Sequence, residues 1–224
     1  MTLFPISCLI IFFASIGFGL FVLTSNSKTK LNRIWFGLSA TIGLWGLTLY
    51  GVTTSLSEYQ ALWWQSLLDV TGIFIPAFYF YFISTFVGLE KPLFNKLVFL
   101  GAGVLSLLSF SPLFKMGVGF QFGFYWVSPG PLYFLFPLFF VGLASAASYL
   151  LIRFYLTSQN THIARSQSLI LLFAGLIGFG GGATNFFPQL FDIYPFGNYL
   201  VIIYVFFVSY SVLKFKFFNT KLIS

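Results

Sequence analysis

Cysteine, histidine and acidic side chains are almost missing from this sequence. Its 224 residues hold one Cys, one His and four Asp or Glu, and charged residues of both signs make up 7%. An average soluble domain carries ~25% charge. A chain of this size cannot cover a water-facing surface with so few charges, so a soluble globular protein is excluded. Disorder is excluded as well: hydrophobic residues, Tyr included, are 58% of the chain, and segments that stay unfolded in water are polar. The single Cys8 rules out a disulfide framework and a cysteine zinc site. Lying in an apolar run, it reads as a small buried hydrophobe. The single His162 sits in the polar stretch 158–165 with no carboxylate or cysteine beside it and reads as solvated. No Ser-His-Asp set, metal cluster or phosphoryl-transfer group can be assembled, so neither enzyme activity nor a cofactor is expected. A retinal Schiff base would need a lysine deep in a helix, whereas Lys214 and Lys216 lie at the inner end of the last apolar segment.

What fills the sequence is aromatic and aliphatic. Phe, Trp and Tyr are 23% of residues, and long apolar runs are separated by short polar ones. A spanning helix needs ~20 mostly apolar residues. Seven such segments can be drawn, at about 3–23, 34–53, 61–87, 93–111, 131–154, 164–187 and 198–217. The first has no basic residue before it, no clear small-x-small cleavage pattern after it, and is long for a signal-peptide core. It reads as a retained helix. The expected fold is an all-α integral membrane protein, a single seven-transmembrane bundle over residues 1–224.

The net charge of +7 comes from 11 Lys and Arg. They are scattered in ones, twos and threes at the borders of apolar runs, which excludes a nucleic-acid stripe. With the N-terminus outside, Lys28, Lys30, Arg33, Lys91, Lys96, Arg153, Arg165, Lys214, Lys216 and Lys221 fall inside and only Lys115 falls outside. Basic residues concentrate on the cytoplasmic side of membrane proteins, so this segregation predicts an outer N-terminus and a cytoplasmic C-terminus.

Four local features stand out. Asp69 is the one charge well inside a spanning segment, and intramembrane carboxylates face a partner or a wet cavity. Gln65 lies one turn away on the same face. Asn185 and Thr184 of the sixth segment are expected at a comparable outer level. Asp69, Gln65 and Asn185 therefore form a candidate ligand site, or else a hydrogen-bonded tie between helices. The outer stretch 113–130 interleaves Gly, Gln and aromatics. It reads either as a short hairpin over the mouth of the bundle, bringing Gln121 and Trp126 to a ligand, or as an aromatic anchor at the headgroups. Pro76 must interrupt the third helix, as a kink beside a cavity or as a packing detail. Gly178-Phe-Gly180-Gly-Gly-Ala183 imitates a dinucleotide motif but lies inside an apolar helix, without the strand that motif requires. Gly175, Gly178 and Gly182 instead form a small-residue face for close helix packing, inside the bundle or at a homodimer seam.

In their order, several sequence marks resemble the N-terminal seven-transmembrane sensory region of bacterial histidine kinases, which also fronts some cyclic-dinucleotide enzymes. These marks are Asn32-Arg-Ile-Trp-Phe, Trp45, Trp63-Trp64, Pro76 and the aromatic run 78–82. They continue with Pro129-Gly130-Pro131-Leu-Tyr133, Arg165-x-Gln167, Asn185-Phe-Phe-Pro188 and Tyr210-Ser-Val-Leu-Lys214-Phe-Lys216. Gln65 departs from the basic residue that many relatives carry after the tryptophan of helix three. The resemblance implies a sensor in the inner (plasma) membrane that binds a small molecule or responds to the bilayer. Such a sensor drives a cytoplasmic kinase or cyclase output domain through its seventh helix. Two other functions fit composition alone: a small transporter or channel subunit using Asp69, and a non-catalytic membrane scaffold.

Overall fold

The computed structural model describes residues 3–157 and 162–215. Helices α1 (Leu3–Ser25), α2 (Lys30–Thr54), α3 (Glu58–Phe86) and α4 (Pro92–Leu108) lead into a hairpin, β1 (Lys115–Gln121) and β2 (Phe124–Pro129). Helices α5 (Leu135–Thr157) and α6 (His162–Ala183) follow. A 3-10 turn at Thr184–Phe186 then leads into the short α7 (Phe187–Phe191) and the last helix, α8 (Asn198–Phe215). His162 thus opens α6 rather than sitting in a loop. Of the exit sequence, Lys216 to Phe218 lie outside the described residues.

Among the described residues, five helices are long and apolar enough to cross a bilayer: α1, α2, α3, α5 and α6, the last extended through the 3-10 turn and α7. Helix α4 has 17 residues, at the lower limit of a span, which at ~1.5 Å per residue covers about 26 Å. Helix α8 has 18 residues, and its stretch Asn198–Val208 is apolar. The expected segment 93–111 loses its last residues to turns at Ser109–Ser111, and 131–154 starts four residues late because Pro131–Phe134 make a turn.

Local chemistry sets the boundaries. Ser57 caps α3, its hydroxyl accepting from the Gln60 N–H, while the Gln60 side chain accepts from the Leu56 N–H. Reciprocal bonding of this kind satisfies donors left open at a helix start. Gly88, at φ +70°, turns the chain after α3, and Pro92 starts α4, where its missing N–H costs nothing. Helices α2 and α3 are the central pair, each with most of its apolar window buried. Helix α4 packs chiefly on α3 and leaves Leu93, Leu97, Leu100, Val104 and Leu107 exposed, as lipid-facing residues must be where lipid replaces water.

The hairpin closes one end of the bundle. Its strands are antiparallel, with Val118 opposite Val127 and Phe120 opposite Tyr125. Phe124 stacks on Phe4 of α1, ring centroids 5.2 Å apart. Trp126 and Val127 point into the protein and are buried, while Met116 and Phe120 are exposed. Phe124 and Trp126 share one strand face and are both buried, while the opposite face runs from buried Val118 and Val127 to exposed Phe120 at the tip.

Candidate functional site

Asp69 lies eleven residues into α3, roughly 16 Å along the helix axis. Its carboxylate is fully engaged. Gln65 Nε2 donates to Oδ1 at 2.7 Å, and Lys115 Nζ donates to Oδ2 at 2.6 Å. Asp69 is 2% exposed, Gln65 4% and Lys115 7%, so water screens this ion pair very little. The ammonium also lies 5.7 Å from the centre of the Phe110 ring. Removing either charge would strand the other in the interior.

A second polar chain runs beside it. Trp126 Nε1 donates to Gln189 Oε1 at 2.6 Å, and Gln189 Nε2 donates to the Tyr133 hydroxyl at 2.8 Å. Indole is a donor only, so it fixes which way the Gln189 amide points. The hairpin is therefore tied to α3 through Lys115 and to α7 through Trp126.

Below the hairpin lies a cavity of about 70 Å³. Helix α2 contributes Ile42, Trp45 and Leu49, and α3 contributes Gln65, Leu68, Asp69, Gly72 and Ile75. Trp126 and Val127 roof it, Tyr133, Phe136 and Phe140 form one wall, and Gly178, Phe179, Gly182, Asn185 and Phe186 another. Val201 and Tyr204 of α8 complete it. Pro76 sits next to this wall. It has no N–H for the carbonyl four residues earlier, which belongs to Gly72, so the missing helical bond and the cavity coincide on α3.

Gln65, Asp69, Trp126 and Asn185 thus share one cavity, and Gln121 does not. Gln121 ends β1 beside the turn, half-buried and away from the cavity wall. The expected tie of Asp69 to Asn185 or Thr184 is corrected. Thr184 donates to the Gly181 carbonyl and accepts from the Gly197 N–H, and Asn185 Nδ2 donates to the Gly182 carbonyl at 3.1 Å. A charge-assisted bond to lysine is about twice as strong as one to a neutral donor, and Lys115 takes the place. Lys115, Gln189 and Tyr133 complete the site, and sequence reasoning assigns none of them to it. For Lys115 a signal existed: the one lysine on the outer side and the one acid within a span are two exceptions that explain each other.

The glycines face inward. A Cβ on Gly178 would lie 2.7 Å from the Tyr204 ring, one on Gly182 3.3 Å from Phe140, and one on Gly175 would run into the Tyr79 hydroxyl. Among the described residues no group of three or more His, Cys, Asp or Glu is placed to hold a metal.

Fold and site together define a multi-helix membrane protein with a hairpin-roofed cavity. Residues 7–221 match the family described as the N-terminal 7TM region of histidine kinase. The chain belongs to that family, the sensory membrane input region of such kinases and not their catalytic domain. No curated protein matches the chain at a significant level.

Proposed function

We propose that this chain receives a stimulus in the hairpin-roofed cavity and passes it to a cytoplasmic kinase or cyclase output through α8. One observation carries the reading: Val201 and Tyr204, on the helix that leads out of the bundle, are part of the cavity wall. A molecule held there touches the sensing residues and the exit helix at once. If it fits one arrangement of α8 better than another, it shifts the population between them. The ligand site comprises Gln65, Asp69, Trp126 and Asn185.

In this reading the hairpin faces the outside of the inner membrane and the C-terminus the cytoplasm. The charge pattern supports that orientation, because Lys28, Lys30, Arg33, Lys91, Lys96, Arg153 and Arg165 all lie toward the bundle end remote from the hairpin. There Lys30 pairs with Glu90, and Arg165 lies over the Tyr155 ring at 4.9 Å. Transport through Asp69 has less support, since both of its oxygens are already bonded.

The test is a fusion of residues 1–224 to a histidine-kinase core, with one to four alanines inserted after Phe218. Kinase activity should oscillate with insertion length at about the ~3.6-residue helical period. A flat response would mean that α8 is a tether and would end the proposal.

A further inference from the structure

We infer that the cavity recognises a small uncharged hydroxyl compound of the short-chain alcohol class. The inference rests on the sensory reading and names the ligand for it.

Charge is the first discriminator. The carboxylate in the wall is neutralised from within the chain, one oxygen by Lys115 and the other by Gln65. An ionic ligand would enter a buried space with no free counter-charge, and unpaired buried ions are strongly disfavoured. The ligand is therefore neutral.

Hydrogen bonding is the second. Asn185 commits its NH₂ to the Gly182 carbonyl, which fixes the amide orientation. Its Oδ1 is left as a buried acceptor with no partner. Tyr133 accepts from Gln189, so its phenolic proton remains to be given. Gly72, also in the wall, lacks the helical donor that Pro76 cannot supply. One hydroxyl group donates and accepts at once and so answers both kinds of group. A ketone or an ether can only accept, and leaves the Asn185 oxygen unpaired.

Size and surface are the third. A volume of about 70 Å³ offers about five water-sized positions at ~10–15 Å³ each, room for one hydroxyl and about four carbons. Most of the wall is aromatic or aliphatic, with Leu68, Phe136 and Phe140 offering nothing that water can bond. A short alkyl group fills that part better than water. Each added methylene gains about fourfold in affinity until the space is full.

The experiment uses the 224-residue chain in lipid nanodiscs, with trifluoroethanol followed by fluorine NMR as the reporter. Ethanol through 1-hexanol compete for it, beside dimethyl ether, n-alkylammonium ions and short carboxylates. The expected result is saturable displacement that strengthens about fourfold per carbon and stops improving near butanol. Charged analogues should be inert, and dimethyl ether about fivefold weaker than its isomer ethanol, as for the loss of one neutral hydrogen bond. N185L should weaken ethanol about fivefold and leave the ether unchanged. G182A should move the cut-off down by about one carbon. If N185L fails to fold, the ethanol–ether comparison in the unaltered protein decides.

Three results would overturn the inference: displacement that climbs without a cut-off as in protein-free nanodiscs, ammonium or carboxylate competing as well as alcohol, or no saturable displacement at all. The kinase fusion separates this failure from that of the sensory reading. A phase-dependent fusion without alcohol binding removes the ligand class alone, and alcohol binding with a flat phase response removes the coupling alone.

Discussion

Lys115 Nζ meets Asp69 Oδ2 at 2.6 Å, and these two residues join the β-hairpin to the centre of α3. Both are buried, so the pair behaves as an interior ion pair and not as a surface one. Breaking such a pair from one side costs about 3–5 kcal/mol, whereas replacing both partners by apolar groups is near neutral or stabilising. D69L and K115M should each lower stability by an amount in that range. The double variant D69L/K115M should recover most of it. Melting temperatures in detergent and in nanodiscs measure all four proteins. A loss in the double variant equal to the sum of the two single losses would show that the two side chains do not interact.

Gly178 and Gly180 are two residues apart on α6 and should respond oppositely to the same change. A Cβ at Gly178 would press into the Tyr204 ring at 2.7 Å, while one at Gly180 would meet nothing within 4 Å. G178A should destabilise the protein by about 1–3 kcal/mol, as overpacking does. G180A should be neutral or stabilising by up to ~1 kcal/mol, because alanine is the better helix former. The same melting assay reads both. A loss in G180A matching that in G178A would mean that the two helices meet through a different face.

Much of this architecture is legible in the amino-acid sequence alone. Apolar run lengths mark the long helices, because lipid demands a continuous apolar stretch and few charges interrupt one here. Helical spacing makes Asp69 and Gln65 neighbours, and depth makes Asn185 their companion. Lys115 is harder to place, since hairpin register and not sequence spacing carries it to Asp69. Gln189 is invisible for a similar reason: its role depends on α7, the five-residue helix after the 3-10 turn that redirects α6. Gln121 shares a strand face with Trp126, yet its place beside the turn keeps it at the hairpin tip. The inward orientation of Gly175, Gly178 and Gly182 likewise depends on the positions of Tyr79, Tyr204 and Phe140, which no spacing rule supplies.

The hairpin tip holds strain that can be relieved. Phe122 and Gly123 form its two-residue turn, with φ of 54° and 90°. Two successive positive values mark the type I′ turn, where Asn-Gly is favoured and a bulky residue first is not. Phe122 is held by an edge-on contact with Tyr194, centroids 5.7 Å apart. F122N trades that contact for a relaxed backbone, so its net effect should stay within about 1 kcal/mol. G123A places a Cβ at φ +90° and should cost more than ~1 kcal/mol. Hydrogen exchange of the β1 and β2 amides locates the effect, and G123A should accelerate it across the hairpin. Equal exchange in wild type and G123A would show that the turn does not set the register.

Tyr194 gives the hairpin end an alkaline limit. It lies in the loop between α7 and α8 and touches Phe4, Phe122 and Phe124. Burial first, and then its hydrogen bond and proximity to Tyr199, push its phenol above the ordinary value near ten. The folded form therefore keeps this proton where the unfolded chain releases it. Over that range the unfolded state binds fewer protons, so stability must fall as pH rises above about 10. Below that pH both states hold the proton and the residue contributes no slope. Y194F removes the titrating group but keeps the ring, so its stability should decline less steeply between pH 10 and 11 than that of the wild type. Melting temperatures across pH 8–11 for both proteins provide the comparison. Parallel curves above pH 10 would show that Tyr194 ionises as freely in the fold as outside it, and that the aromatic cluster under the hairpin is open to water.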